Sequence, residues 1–281
     1  MGKKQKKVAI GIAVLAVFLL IGSFMIEGME RYETIRETMR DAVLHTENKI
    51  NILGLTTVNP ALMSAFVVTI VVLFIALLIR LLVIPRFTNV PGKFQMLLEM
   101  LVGFFSDLAK QYSPHCNKFL GAYIFAAGVY IFVGTISELF GIQFVTTHGA
   151  SIAMPAPLSD INGAISMGVL SYLAIMSGGI KNNGVKGIGL TLKEFSLPIS
   201  MSFRLFGALL SGLLVTELVY YTISLSYVLP VLVAIMFTLL HALIQTYVLT
   251  LLTSIFYGEV SEVSPKKEKV KKQKKVKKMT V

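Results

Sequence analysis

Apolar side chains fall into six runs along the chain, at residues 8–26, 61–84, 119–136, 161–180, 197–221 and 229–257. Each is long enough to cross roughly 30 Å of hydrocarbon as a helix. The first run follows Lys3, Lys4, Lys6 and Lys7, a start that a signal sequence would share. It exceeds the apolar core of about 7–15 residues that a signal sequence carries, and no A-x-A cleavage pattern follows, so a retained helix is the expectation. The pattern predicts an all-α membrane protein of about five to six spans.

Two other stretches add to this picture. In residues 92–110, Phe94, Leu97, Leu98, Leu101, Phe105 and Leu108 recur at helical spacing while Lys93, Gln95, Glu99, Ser106 and Lys110 fall elsewhere, which predicts an amphipathic helix lying at the membrane surface. The last two runs, of 25 and 29 residues, form a hairpin whose second arm of about 43 Å is too long to stand upright, and so should tilt strongly. Residues 30–49 mix both charge signs and suggest no function.

Composition agrees: 55% of residues are hydrophobic and 15% charged, against about a quarter charged in soluble domains. The net charge of +11 is not a nucleic-acid footprint. Four lysines precede the first run and residues 265–281 hold nine against one glutamate, a net +12 that leaves −1 for everything between. Charge confined to two low-complexity tails does not make a patterned groove; the C-terminal tail is expected to be disordered and drawn to anionic headgroups. Cys116 is the only cysteine, so no internal disulfide forms. His45, His148 and His115-Cys116 lack metal-ligand spacing, and no metal or cofactor is expected. No P-loop, H-E-x-x-H or nucleophile with an adjacent base is present.

Lys and Arg in the connections set the orientation. Residues 85–118 carry Arg86, Lys93, Lys110 and Lys118, and residues 181–193 carry Lys181, Lys186 and Lys193, whereas residues 138–160 carry none. Residues 27–60 hold six acids against four bases. With six spans the basic connections and both tails share one side, so both termini are expected to be cytoplasmic if the first span is retained.

Arg204 stands seven residues into the fifth run. Arg80, near the end of its run, can snorkel to the headgroups. Arg204 instead shares a helix face with Ser200, Ala208 and Ser211, with Gly207 and Gly212 beside them, a surface suited to close approach by another helix. An ionisable residue there is a functional candidate. On the sixth run Thr238, His241 and Gln245 form a polar stripe. If Arg204 is level with Gln245, a constant index sum puts His241 level with Ala208. Glu217 then lies about 20 Å from Arg204 toward the outside, as an inlet or interface residue. Asp160 is equally an ordinary helix N-cap, and Glu138, at the outer end of its span, is equally a solvated residue. Tyr220, Tyr221 and Tyr227 bracket the outer turn as an interfacial belt.

These residues resemble the family of subunit a of the F-type ATP synthase, of bacterial type, over about residues 91–257. Pro-Gly-Lys-Phe-Gln-Met-Leu-Leu-Glu (91–99) is similar to the family's amphipathic helix, Ser-Asp-Ile-Asn (159–162) to its Ala-Asp-x-Asn opening, Leu-Pro-Ile-Ser-Met-Ser-Phe-Arg-Leu-Phe-Gly (197–207) to its arginine motif, and His-Ala-Leu-Ile-Gln-Thr-Tyr-Val-Leu-Thr-Leu-Leu-Thr (241–253) to its last helix. Four motifs in order are a specific match.

The resemblance implies a stator subunit that forms two half-channels against a rotating c-ring and couples H+ or Na+ flow to ATP synthesis or hydrolysis, without a catalytic site of its own. It implies that Arg204 faces the ring's ion-binding carboxylate with Gln245 beside it and His241 on the path. Ser200, Gly207, Ala208 and Ser211 would be the ring-facing surface, and Asp160, Asn162, Glu138 and Glu217 the outer half-channel. The c-ring, b-type peripheral stalk subunits, the rest of the complex and the lipid bilayer are the implied partners, nucleic acid is not among them, and the bacterial plasma membrane is the implied location. The family's usual asparagine and acid or histidine after the arginine are Ala208 and Leu213 here, and its ionisable partner before the glutamine is Thr238. The acid-histidine relay is therefore absent from its usual places. The implied organisation is a basic tail and first span or signal at 1–26, an outer segment at 27–60, the membrane domain at 61–258 and a lysine-rich tail at 259–281. A self-contained transporter of an anionic substrate would show internal repeats, and none is visible; a membrane scaffold glued by polar residues is the other alternative.

Overall fold

A computed structural model of the chain describes residues 50–52, 56–115, 117–145, 151–221 and 229–262, with seven isolated positions before residue 50. Seven α-helices are assigned among the described residues: α1 (Pro60–Leu78), α2 (Lys93–Tyr112), α3 (Asn117–Ile136), α4 (Ile161–Asn183), α5 (Val185–Lys193), α6 (Ser196–Tyr221) and α7 (Leu229–Ser261). Five apolar segments among these residues are long enough to cross a membrane: Pro60–Arg86, Asn117–Phe140, Ile161–Asn183, Ser196–Val215 and Val231–Ser261. The protein is an all-α membrane protein. The first apolar run, residues 30–49, His45, Cys116, His148, Tyr227 and residues 263–281 of the lysine-rich tail lie outside the described residues, apart from the isolated positions before residue 50, whereas the first residues of that tail, 259–261, continue α7.

The helices end for local reasons. Past Leu78 the chain widens into a π-turn (Ile79–Val83) and then a 3₁₀-turn (Ile84–Arg86), with the Ile84 N–H bonding to the Ile79 carbonyl. Pro85 has no N–H to continue an α-helical ladder. α3 closes through a 3₁₀-turn (Ser137–Phe140) onto Gly141, whose φ of 59° suits glycine. Two short antiparallel ribbons, which the apolar pattern did not predict, lie on the first compact unit: β1 (Ile50–Ile52) with β2 (Thr56–Val58), and β3 (Gln143–Val145) with β4 (Ser151–Ala153).

The chain divides into two compact units. The first comprises residues Met1–Val67, Gly134–Asp160 and Phe206–Leu243. Here the backbone N–H of Met154 bonds to the Ile142 carbonyl and extends the β3–β4 ribbon. The following run, Met154 through Leu158, is buried, so the chain enters Asp160 from a fixed apolar seat.

The second unit comprises Val68–Val133, Ile161–Leu205 and Ile244–Val281. α2 is amphipathic as predicted, but its apolar face is used in two ways. Phe105, Leu108 and Ala109 are buried: the Phe105 ring seats over Gly128 of α3, where a Cβ would lie 2.7 Å away, and meets Phe125 edge-on at 5.7 Å. Phe94, Leu97 and Leu101 nearer the N-terminus stay exposed, the arrangement of a helix anchored at one end and lying on lipid along the rest. The connection after α4 forms α5, which the sequence pattern left unassigned. Gly187 and Gly179 bring α5 and α4 into backbone contact, since a Cβ at Gly187 would collide with the Gly179 carbonyl.

Candidate functional site

α6 starts with Pro198 in its first turn, where the missing N–H removes no helical hydrogen bond. Leu197, Met201 and Leu205 recur every fourth residue and are buried, whereas Ser200 and Arg204 recur on another face and are exposed. Farther along the helix Gly207 and Ser211 are exposed and Ala208 is half-buried. The arginine therefore occupies an open row of small residues. Among the described residues the only ion pair is Lys110–Asp107 at 3.0 Å. Among the described residues no carboxylate is paired with the Arg204 guanidinium.

Gln245 of α7 is buried, and its side-chain Nε2 donates to the main-chain carbonyl of Arg204 at 3.2 Å. The two residues are thus level on antiparallel helices, the condition from which the index sum was taken. His241 departs from that arithmetic. Its imidazole lies against Gly212, where a Cβ would be 3.3 Å from Nδ1, one turn beyond Ala208. Helical side chains lean toward the N-terminus of their own helix, and for α7 that lean runs toward the higher-numbered residues of α6. The ring is also stacked obliquely on Phe237 at 5.8 Å. Thr238 is buried.

Asp160 immediately precedes α4, and its Oδ1 accepts a 3.0 Å hydrogen bond from Nδ2 of Asn59. The same Asn59 accepts from the N–H of Ala61 through Oδ1, also at 3.0 Å, and so caps α1 while gripping the aspartate. Sequence reasoning missed Asn59, although asparagine followed by proline at the start of an apolar run is a helix-start signal. Asn162 is exposed in the first turn of α4, with its carbonyl accepting from Ser166 Oγ at 2.7 Å. Glu138 is half-buried in the 3₁₀-turn that ends α3. Glu217 is on α6, and its side chain lies outside the described residues, as do those of Tyr220 and Tyr221. No cluster of three His, Cys, Asp or Glu side chains that could hold a metal is present among the described residues.

Apolar helices of spanning length, an arginine exposed on the fourth of them and a glutamine on the fifth held to its backbone define a multi-pass membrane protein with a charged site on a helical hairpin. The profile of the family described as ATP synthase A chain matches residues 61–258, and the chain belongs to that family. Similar proteins are ATP synthase subunit a of Wigglesworthia glossinidia brevipalpis, 31% identical over 66% of this chain and 76% of that one, and ATP synthase subunit a 2 of Vibrio campbellii, 26% identical over 62% and 78%. ATP synthase subunit a of Cereibacter sphaeroides is 25% identical over 59% of this chain and 69% of that one. The chain is a stator subunit of the ATP synthase membrane sector, and the transporter and scaffold alternatives are not favoured.

Proposed function

We propose that the chain conducts a proton or sodium ion along α6 and α7, past Arg204, against a rotor c-ring. The observation that carries the reading is the state of Arg204: its guanidinium is exposed on a small-residue row with no carboxylate partner among the described residues, while Gln245 holds its carbonyl. A guanidinium is always charged and poorly tolerated against lipid, which favours a counter-charge brought by a partner. An ionised rotor carboxylate supplies it. Ser200, Gly207, Ala208 and Ser211 let the rotor helix approach.

A fixed positive charge favours the ionised carboxylate opposite it and repels a cation moving directly between the two aqueous half-channels. The ring then turns only by loading an ion on one side and releasing it on the other. The path toward the outer side runs by Gln245, His241 and Glu217, with Asp160, Asn162 and Glu138 at the inlet. His241 in its Gly212 notch takes part of the relay left open by Ala208, Leu213 and Thr238. ATP chemistry belongs to other subunits, and the chain makes no bonds itself.

The basic connections support cytoplasmic termini in a bacterial plasma membrane, with b-type stalk subunits bracing the stator. Residues 61–258 are the membrane domain, between the 1–26 and 27–60 segments and the 259–281 tail. The test uses inverted vesicles holding the whole complex, with ATP-driven ion uptake compared between wild type and Arg204→Ala at varied sodium and pH. An assembled variant that hydrolyses ATP without uptake is expected, and the wild-type sodium dependence names the ion. Uptake at the wild-type level would make Arg204 a packing residue and defeat the reading.

A further inference from the structure

Side chains tie the end of α7 to α4. Asn183 Nδ2 donates to the carbonyls of Val260 at 3.0 Å and Glu262 at 2.8 Å, and Asn182 Nδ2 donates to that of Ser261 at 2.8 Å. His115, just before α3, adds a bond from Nε2 to the same Ser261 carbonyl at 2.9 Å. These are carbonyls that a helix end leaves without an intrahelical donor. One turn before the tie, α4 offers Gly178 and Gly179. A Cβ at Gly178 would lie 2.5 Å from the buried Tyr257 ring, and one at Gly179 would collide with the Val260 side chain. Ten residues earlier Gly168 receives α6 in the same way, since a Cβ there would collide with Ser202 Oγ and lie 2.9 Å from the Pro198 carbonyl.

The levels of these contacts agree. From Gly178 up α4 to Gly168 is ten residues, about 15 Å at the helical rise, and from Ser202 along α6 to Arg204 is two more, about 3 Å. From Tyr257 along α7 to Gln245 is twelve residues, about 18 Å. Both routes from the Gly178–Tyr257 contact thus arrive at the level where Gln245 meets the Arg204 carbonyl. Three contacts made by different side chains share one register.

We propose that α4 is the template that sets the height of Gln245 against Arg204, with Gly168, Gly178 and Asn183 as positioning residues for that pair. Close packing against glycine notches admits discrete seats rather than continuous sliding. A slip of α7 by one residue is a rise of about 1.5 Å and a rotation of about 100°, which swings the Gln245 amide off the carbonyl; a slip of a full turn puts apolar Leu249 in its place. The effect on ion coupling rests on the stator reading, whereas the register does not.

The experiment uses the whole complex in inverted vesicles with Cys116→Ser as background. A cysteine replacing Met201 is paired with single cysteines stepped through residues 246–251, and disulfide yield maps the register. Gly178→Ala and, separately, Asn183→Leu are expected to shift or flatten the yield maximum while ion uptake per ATP hydrolysed falls several-fold. Tyr257→Leu, which makes room for the added methyl, is expected to restore both readouts in the Gly178→Ala background. Gly189→Ala, whose Cβ would meet nothing within 4 Å, should change neither. An unmoved maximum in assembled Gly178→Ala and Asn183→Leu overturns the proposal. So does failure of both to assemble without rescue by Tyr257→Leu, since α4 would then matter for folding alone. Retained uptake in Arg204→Ala would sink the stator reading and leave the disulfide result to stand by itself.

Discussion

The side-chain amide of Gln245 donates to the main-chain carbonyl of Arg204 at 3.2 Å, so the glutamine grips the helix that bears the arginine and leaves the guanidinium to another partner. The contact is structural for α6 and α7, and at the same time it fixes where the charge sits.

Gln245→Leu keeps the buried volume nearly constant and removes one hydrogen bond worth about 1 kcal/mol net. The variant is expected to assemble, and to lose ion uptake several-fold by letting Arg204 wander. Gln245→Glu places a carboxylate at the same site and should be worse, because it supplies a resident counter-charge to the arginine. Uptake rates in inverted vesicles, normalised to assembled complex, rank the two; a Leu variant poorer than the Glu variant would contradict the positional role.

Arg204→Lys retains the charge but replaces a rigid planar fork with a flexible point charge whose proton is lost more readily out of water. Most coupled uptake is expected to disappear although assembly and ATP hydrolysis persist. Near-normal uptake in this variant would show that charge alone suffices.

Much of this was legible because hydropathy reports burial in lipid. The apolar runs at 61–84, 119–136, 161–180, 197–221 and 229–257 anticipate the five spans, and α2 follows from the spacing of Phe94 through Leu108. The ends were less legible. α4 continues to Asn183 and α7 to Ser261, through polar residues that a hydropathy pattern rejects but that cap one another across the fold. Of the site, Arg204 and Gln245 could be paired through the resemblance of residues 197–207 and 241–253 to the family's motifs. The seat of His241 could not, since it depends on side-chain lean as well as axial level. Asn59 escaped notice because its two partners, Ala61 and Asp160, are near in one case and 101 residues away in the other.

Asn59→Ala removes the α1 cap, a loss of about 0.5–2 kcal/mol, and with it the hydrogen bond from Asn59 to the Asp160 carboxylate. Asn59→Ser keeps a capping oxygen but cannot donate to Asp160 from the same reach. If the aspartate grip matters for ion entry, both variants reduce uptake, while only the Ala variant also lowers the amount of assembled complex. Equal uptake per assembled complex in wild type and the Ser variant would confine Asn59 to helix capping.

Gly212 gives His241 its room. A methyl there would sit 3.3 Å from Nδ1, a contact the ring can accommodate by a small shift, so Gly212→Ala is expected to slow uptake modestly, with overpacking of about 1 kcal/mol at the low end of such changes. Gly212→Leu fills the notch and must expel the imidazole, and uptake should fall as far as it does in His241→Ala. The combination of Gly212→Leu with His241→Ala separates the causes. If the notch acts through the histidine, the double variant is no worse than either single one, because both abolish the same seat. If the losses instead multiply, Gly212 serves helix packing and His241 works independently of it, and the relay reading of this pair fails.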